Sequence, residues 1–252
     1  ENLPAIKVNC TGRNGSLINP MQIRVHIEAE GKVYWIRPGG EELELTGNII
    51  NETYYANGEP HDYSLRGNFK KVHLTLVNNC TIHSVVAEKC DKLVEFYLHV
   101  AVEKTIGLTN CPLLPKMTFT DQVETFTATD CSKLTTIEGG AISEKLDLDN
   151  CAVSTIPSCV TTTKYLDIKN CANLTKIEAK ENGRLDDVKV KNCSTLTSID
   201  VANSGTSSFY LTINNCPQLK RIDNVDRLSK VTITNCANLE KLDTDNASKL
   251  HY

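Results

Sequence analysis

Eleven cysteines in 252 residues are the first sign of possible chemistry, since that number usually means a disulfide framework or a zinc site. Their positions argue for neither. Cys90, Cys111, Cys131, Cys151, Cys171, Cys193, Cys216 and Cys236 follow one another at intervals of 20–23 residues. A zinc site needs ligand pairs two to four residues apart, and the chain has no C-x-x-C and no H-x-x-x-H. Cysteines one coil apart would also point their Cβ vectors the same way, a poor geometry for a disulfide. The eight read as a ladder of buried thiols, each a small apolar filler with a weak S–H donor. Cys10, Cys80 and Cys159 stand outside this ladder.

Other catalytic patterns are missing. The six histidines (His26, His61, His73, His83, His99 and His251) are scattered, and there is no serine elbow or glycine-rich phosphate loop. A catalytic cysteine would need one particular activating base, and eight equivalent cysteines nominate none. Gly139-Gly140 reads as a turn. We expect no enzyme and no cofactor or metal. A formal net charge of −4 argues against a nucleic-acid partner, which would need a clustered basic surface. No apolar run approaches the roughly 20 residues that span a bilayer.

The elements that hold the cysteines emerge from the flanking residues. YLDIKNCANLTKI (165–177) places apolar residues at Leu166, Ile168, Cys171, Leu174 and Ile177. The frame recurs in VKVKNCSTLTSI (188–199), LTINNCPQLKRI (211–222) and VTITNCANLEKL (231–242). It opens with a short alternating strand, turns a corner at Asn-Cys, and continues with apolar residues at every third position. Two coils vary it: after Cys111 the second apolar pair keeps its spacing but ends in methionine (Leu114/Met117), and after Cys151 it shifts by one to Val153/Ile156. One such coil cannot bury its apolar face alone, so the copies must stack into a solenoid with one parallel strand per coil. The returning segments, such as 178–187, are short and rich in Gly, Asn and Ser, and predict turns, 3₁₀ pieces or short extended stretches.

Residues 1–70 lack the repeat and predict a small antiparallel β domain that caps the solenoid of residues 71–252. MQIRVHIEAEGKVYWI (21–36) alternates, breaks at Glu30-Gly31 and resumes, which is a hairpin signal. ELELTG (42–47) and HDYSLRG (61–67) read as further strands. At the other end, Leu250 and Tyr252 either fold over the last coil or leave it open to self-association.

Two sets of polar residues compete for a binding role. Asn or Asp precedes the cysteine at Asn110, Asp130, Asn150, Asn170, Asn192, Asn215 and Asn235. These suit a corner in left-handed geometry, and the alternative is a polar ladder for a sugar or cation. The outward strand positions pass from threonine-rich to charged, with two tyrosines. Tyr165, Asp167, Lys169, Asp187, Lys189, Tyr210 and Asp147 are the candidate ligand contacts, because exposed tyrosines favour recognition. A plain solvated sheet face is the competing reading, since threonine favours strands and Lys/Asp pairs stabilise them cheaply.

The string L-x-L-x-x-C/N-x-x-L, carried by Leu166, Ile168, Cys171 and Leu174 and matched in seven other coils, resembles the leucine-rich repeat (LRR). Its coil length resembles the shorter bacterial forms. Residues 28–33 (EAEGKV) and 58–67 (GEPHDYSLRG) are similar to the segment preceding such repeats in surface proteins of Bacteroidetes. The commoner coil of that family carries Asn inside, where this chain carries Cys. The resemblance implies an LRR solenoid with a concave parallel sheet, on an exported, often lipid-anchored protein that binds proteins or glycans. It places the protein outside the cell or on its outer surface. The chain starts at Glu1, as would a chain whose signal peptide or lipidated leader has been removed. The partner is then an unidentified protein or glycan; the alternative is a passive spacer with no ligand of its own.

Overall fold

A computed structural model describes residues 4–12, 21–54, 58–178, 185–201, 209–225 and 228–243. Lys249–Tyr252 and most of the return segment 178–187 lie outside these residues. The chain is a parallel-strand β-solenoid of about eight stacked coils, with no helix among the described residues. Its strands are, in chain order, β1 (Ala5–Gly12), β2 (Met21–Ile36), β3 (Glu42–Glu44), β4 (Ile49–Tyr54), β5 (Pro60–Asn78) and β6 (Cys80–Glu88). Then come β7 (Glu95–Leu98), β8 (Val102–Thr109), β9 (Lys116–Phe119), β10 (Val123–Thr129), β11 (Thr136–Gly139) and β12 (Ile142–Asp149). The remainder are β13 (Tyr165–Lys169), β14 (Lys176–Glu178), β15 (Asp187–Lys191), β16 (Ser198–Asp200), β17 (Phe209–Asn214), β18 (Arg221–Asp223), β19 (Leu228–Thr234) and β20 (Lys241–Leu242). They divide into two compact units, residues 1–123 with 130–140, and residues 124–129 with 141–252.

In the first unit the strand order is β11-β9-β7-β5-β1-β6-β8. The β7–β9–β11 pairs and the β6–β8 pair are parallel, as stacking of coils requires. Between them β1 lies antiparallel to both β5 and β6, with Ile6, Val8 and Cys10 buried. The turn signal at Glu30-Gly31 does not make a hairpin. β2 is one continuous strand against β5, and Gly31 (φ +77°) sits in a register shift between Glu30 and Tyr34. The glycine serves a bulge, which bends a strand without reversing it. β5 runs unbroken through residue 70, pairing with β1 before it and with β7 after it. Trp35 is buried and stacks on Tyr63 with ring centroids 5.2 Å apart.

In the second unit β10-β12-β13-β15-β17-β19 form one sheet and β14-β16-β18-β20 a second. The coils around Cys171, Cys193, Cys216 and Cys236 thus carry two strands each, one on each side of a core made from the repeat's apolar positions. Leu166, Ile168, Leu174, Ile177 and their copies in the next two coils are 0–1% exposed. Burial of each such side chain is worth about 1.5–3 kcal/mol. The coil at 151–164 has no second strand. Counting from the cysteine, Pro157 occupies the slot that Ile177 fills one coil later, and a proline cannot donate to a ladder. Ile156, expected inside, is only half-buried there; Val153, Cys159 and Val160 supply the core. That gives Cys159 its place. In the last described coil Val231, Ile233, Cys236 and Leu239 are only half-buried.

Candidate functional site

Strict alternation along β12, β13, β15, β17 and β19 sends one set of side chains into the core and the other outward. Because the strands pair in parallel and in register, the outward residues form straight rows across them. The first row is Lys145, Tyr165, Asp187, Tyr210, Lys230. The second is Asp147, Asp167, Lys189, Thr212, Thr232, and the third Asp149, Lys169, Lys191, Asn214, Thr234. All seven predicted contact residues, Asp147, Tyr165, Asp167, Lys169, Asp187, Lys189 and Tyr210, therefore share one face of one sheet.

The charges on that face are largely paired with one another. Lys145 reaches Asp147 at 2.7 Å, Lys169 reaches Asp167 at 3.2 Å and Asp147 at 3.8 Å, and Lys189 reaches Asp187 at 2.7 Å. Partial burial works against the Lys169 charge, but Asp167, Asp147 and Asp149 outweigh it and raise its pKa. The Asp187 carboxylate does the same for Lys189. Asp187 Oδ1 is hidden from solvent and has no hydrogen-bond partner. Tyr165 and Tyr210, at 43% and 45% exposed, stand out from this polar surface. They lie two strands apart in the first row, on either side of Asp187.

The cysteine ladder sits on the interior side of the corner. Cys90, Cys111, Cys131, Cys151, Cys171, Cys193 and Cys216 are buried, Cys236 is half-buried, and none of them forms a disulfide. Cys90, Cys111, Cys151, Cys171, Cys193, Cys216 and Cys236 place Sγ 3.3–3.7 Å from the carbonyl oxygen two residues earlier, an acceptor within reach of the S–H. Burial pushes the Cys171 and Cys159 thiols up to about 11, away from the nucleophilic thiolate form. Three residues after every ladder cysteine except Cys151, a leucine (Leu93, Leu114, Leu134, Leu174, Leu196, Leu219 or Leu239) donates its N–H back to the cysteine carbonyl, closing a tight turn.

The residue before each cysteine adopts left-handed geometry. Asn110, Asp130, Asn150, Asn170, Asn192, Asn215 and Asn235 all have φ between +53° and +56°, and Lys89 does likewise before Cys90. Asn and Asp tolerate this region better than most residues. Their amides also bond to one another: Asn215 donates to Asn192, Asn192 to Asn170, and Asn170 to Asp149, at 2.6–2.9 Å. The corner geometry and this internal bonding account for the ladder without a ligand.

One cluster went unseen in the sequence. In the first unit His26 pairs opposite His73 across β2 and β5, and His73 lies 2.6 Å from Glu95. Tyr97 packs on His99 with ring centroids 3.6 Å apart, and His73 is 6.4 Å from His99. The signal was the spacing of His73 from Tyr97 and His99, about one coil. Among the described residues no group of side chains is arranged to hold a metal ion, and no helix is long and apolar enough to cross a membrane.

No family model, curated protein or solved structure matches this chain.

Proposed function

We propose that the chain is a non-enzymatic recognition module of the LRR type, exported to the cell surface or secreted. In this reading the outward face of β12, β13, β15, β17 and β19 contacts a protein or glycan. One observation carries the reading: two tyrosines, each more than two-fifths exposed, stand in a single row on a rigid parallel sheet. Exposed aromatic side chains on a preorganised surface lose little entropy on binding and so favour recognition. The repeat string and the segments at 28–33 and 58–67, which resemble exported Bacteroidetes proteins, support the LRR assignment and the location. A removed lipid anchor fits the same resemblance.

The test is direct binding of the purified protein to panels of extracellular-matrix proteins and glycans, alongside a Tyr165→Ala/Tyr210→Ala double variant. Specific binding that the double variant loses supports the reading. Equal binding by both proteins refutes a role for this face.

A passive spacer is the second reading. It draws on the internal pairing of the lysines and aspartates, which leaves much of the face satisfied without a ligand. It expects no specific ligand in either panel.

A further inference from the structure

The chemistry of the face narrows the ligand beyond the recognition reading, on which the following rests. We infer that the row Tyr165–Asp187–Tyr210 binds a neutral, extended chain of β-linked pyranose sugars running across the strands.

Three observations lead there. The first is what the face lacks. None of the outward positions in the three rows carries an aliphatic side chain. A protein partner is normally held through a desolvated apolar centre, and two separated tyrosines among Thr, Asp and Lys do not make one. Pyranose rings suit such a surface, because they offer apolar C–H faces to aromatic rings and hydroxyls to carboxylates.

Charge is the second. Five lysines (Lys145, Lys169, Lys189, Lys191 and Lys230) stand among four aspartates (Asp147, Asp149, Asp167 and Asp187), and the closest of them already form ion pairs. A polyanion would need an unbalanced basic surface, and a polycation an acidic one. This face is neither, so its complement is uncharged.

The third is spacing. Tyr165 on β13 and Tyr210 on β17 are separated by β15, which puts their Cα atoms about 10 Å apart. That distance is close to the repeat between alternate sugars of an extended β-linked chain. The intermediate sugar then lies over Asp187, whose Oδ1 has no donor, while Oδ2 is engaged by Lys189. A buried acceptor without a donor is costly, so a rotation of the carboxylate that brought Oδ1 to the surface would let a sugar hydroxyl donate to it.

The experiment is calorimetric titration of the intact protein with neutral oligosaccharide ladders of two to six sugars, cellobiose to cellohexaose and the matching β-1,3-linked series. A hyaluronan oligosaccharide serves as the anionic probe. The expected result is an affinity that steps up at three sugars, the first length to span both tyrosines. Tyr165→Ala and Tyr210→Ala should each lower the affinity for the longer sugars roughly tenfold and remove that step, while Tyr165→Phe and Tyr210→Phe retain it. These side chains are exposed, so folding is not at stake. Absence of binding to both ladders overturns the sugar assignment. So does salt-sensitive binding of hyaluronan in preference to the neutral chains. If no sugar binds but a matrix protein does, and loses binding in the double tyrosine variant, the sugar assignment fails while the recognition face stands. Sugar binding indifferent to both tyrosines refutes both.

Discussion

The side-chain amide of Asn192 donates to Oδ1 of Asn170 at 2.9 Å, one coil away, while both residues hold left-handed backbone geometry. The corners at Asn170, Asn192 and Asn215 are thus fixed twice, by their own torsion and by a neighbour. Replacing Asn192 with glycine keeps the torsion accessible and removes only the amide bonds, at about 1 kcal/mol. Replacement with alanine adds about 1–2 kcal/mol for forcing a Cβ into that region. Urea titrations of the two variants should therefore place Asn192→Ala below Asn192→Gly in midpoint. The reverse order would mean that the torsion contributes nothing.

Position in the stack should matter as much as position in the repeat. Leu174 and Leu239 fill the same slot, but Leu174 is fully buried and Leu239 only half-buried. Leu174→Ala should cost about 2–5 kcal/mol, as for a filled core site. Leu239→Ala should cost less than half as much. Chemical denaturation of both variants would show it.

The glycine pair at 139–140 is required by crowding. A Cβ on Gly139 would lie 1.6 Å from the Phe119 carbonyl oxygen, and one on Gly140 1.9 Å from that of Asp121. Backbone cannot yield cheaply, so Gly139→Ala and Gly140→Ala should each cost about 3 kcal/mol or more. Gly39 also has a positive φ, but nothing lies within 4 Å of its Cβ position. Gly39→Ala should cost about 1–2 kcal/mol, from torsional strain alone. Thermal melts of the three variants separate crowding from strain.

Buried thiols make the protein sensitive to alkali. Burial disfavours the thiolate and pushes the Cys171 and Cys159 thiols up from their ordinary value near 9.0 to about 11. Below pH 9 both states keep the proton and stability is unaffected by these groups. Between pH 9 and 11 the unfolded thiols lose it first, so stability falls by about 1.4 kcal/mol per pH unit for each thiol. Denaturation curves across this range should show the decline, and Cys171→Ala should make it shallower. Under native conditions a thiol reagent should label half-buried Cys236 well before Cys171.

The coil was legible in the sequence because it repeats. Leu166, Ile168, Leu174 and Ile177 announce their burial through spacing shared with other copies, and Asn170 announces the corner by its tolerance of left-handed geometry. The candidate face followed from the same alternation, since Tyr165 and Asp187 must point away from the core that Leu166 and Val188 enter. What the sequence hid was pairing at a distance. Nothing local in residues 5–12 tells β1 to lie between β5 and β6, because partner choice for a strand depends on edges made elsewhere in the chain. Gly31 carried a true backbone signal, a positive φ, but a bulge and a turn draw on the same residue type. Pro157 was readable as a break in the second strand, although Cys159 and Val160 as its replacements in the core were not. His73 and His99 are distant in sequence and adjacent in space only once the coil is closed.

The corner ladder has a consequence for how such a protein changes over time. Register from coil to coil is held on the inside and at the corner, by Leu, Ile, Cys and Asn, whereas the exposed ion pairs of the outward rows contribute little. An outward residue can therefore be exchanged in one coil without disturbing the next. The sheet behaves as a display whose positions are independently addressable, so its preference for a ligand can drift while the scaffold beneath stays the same.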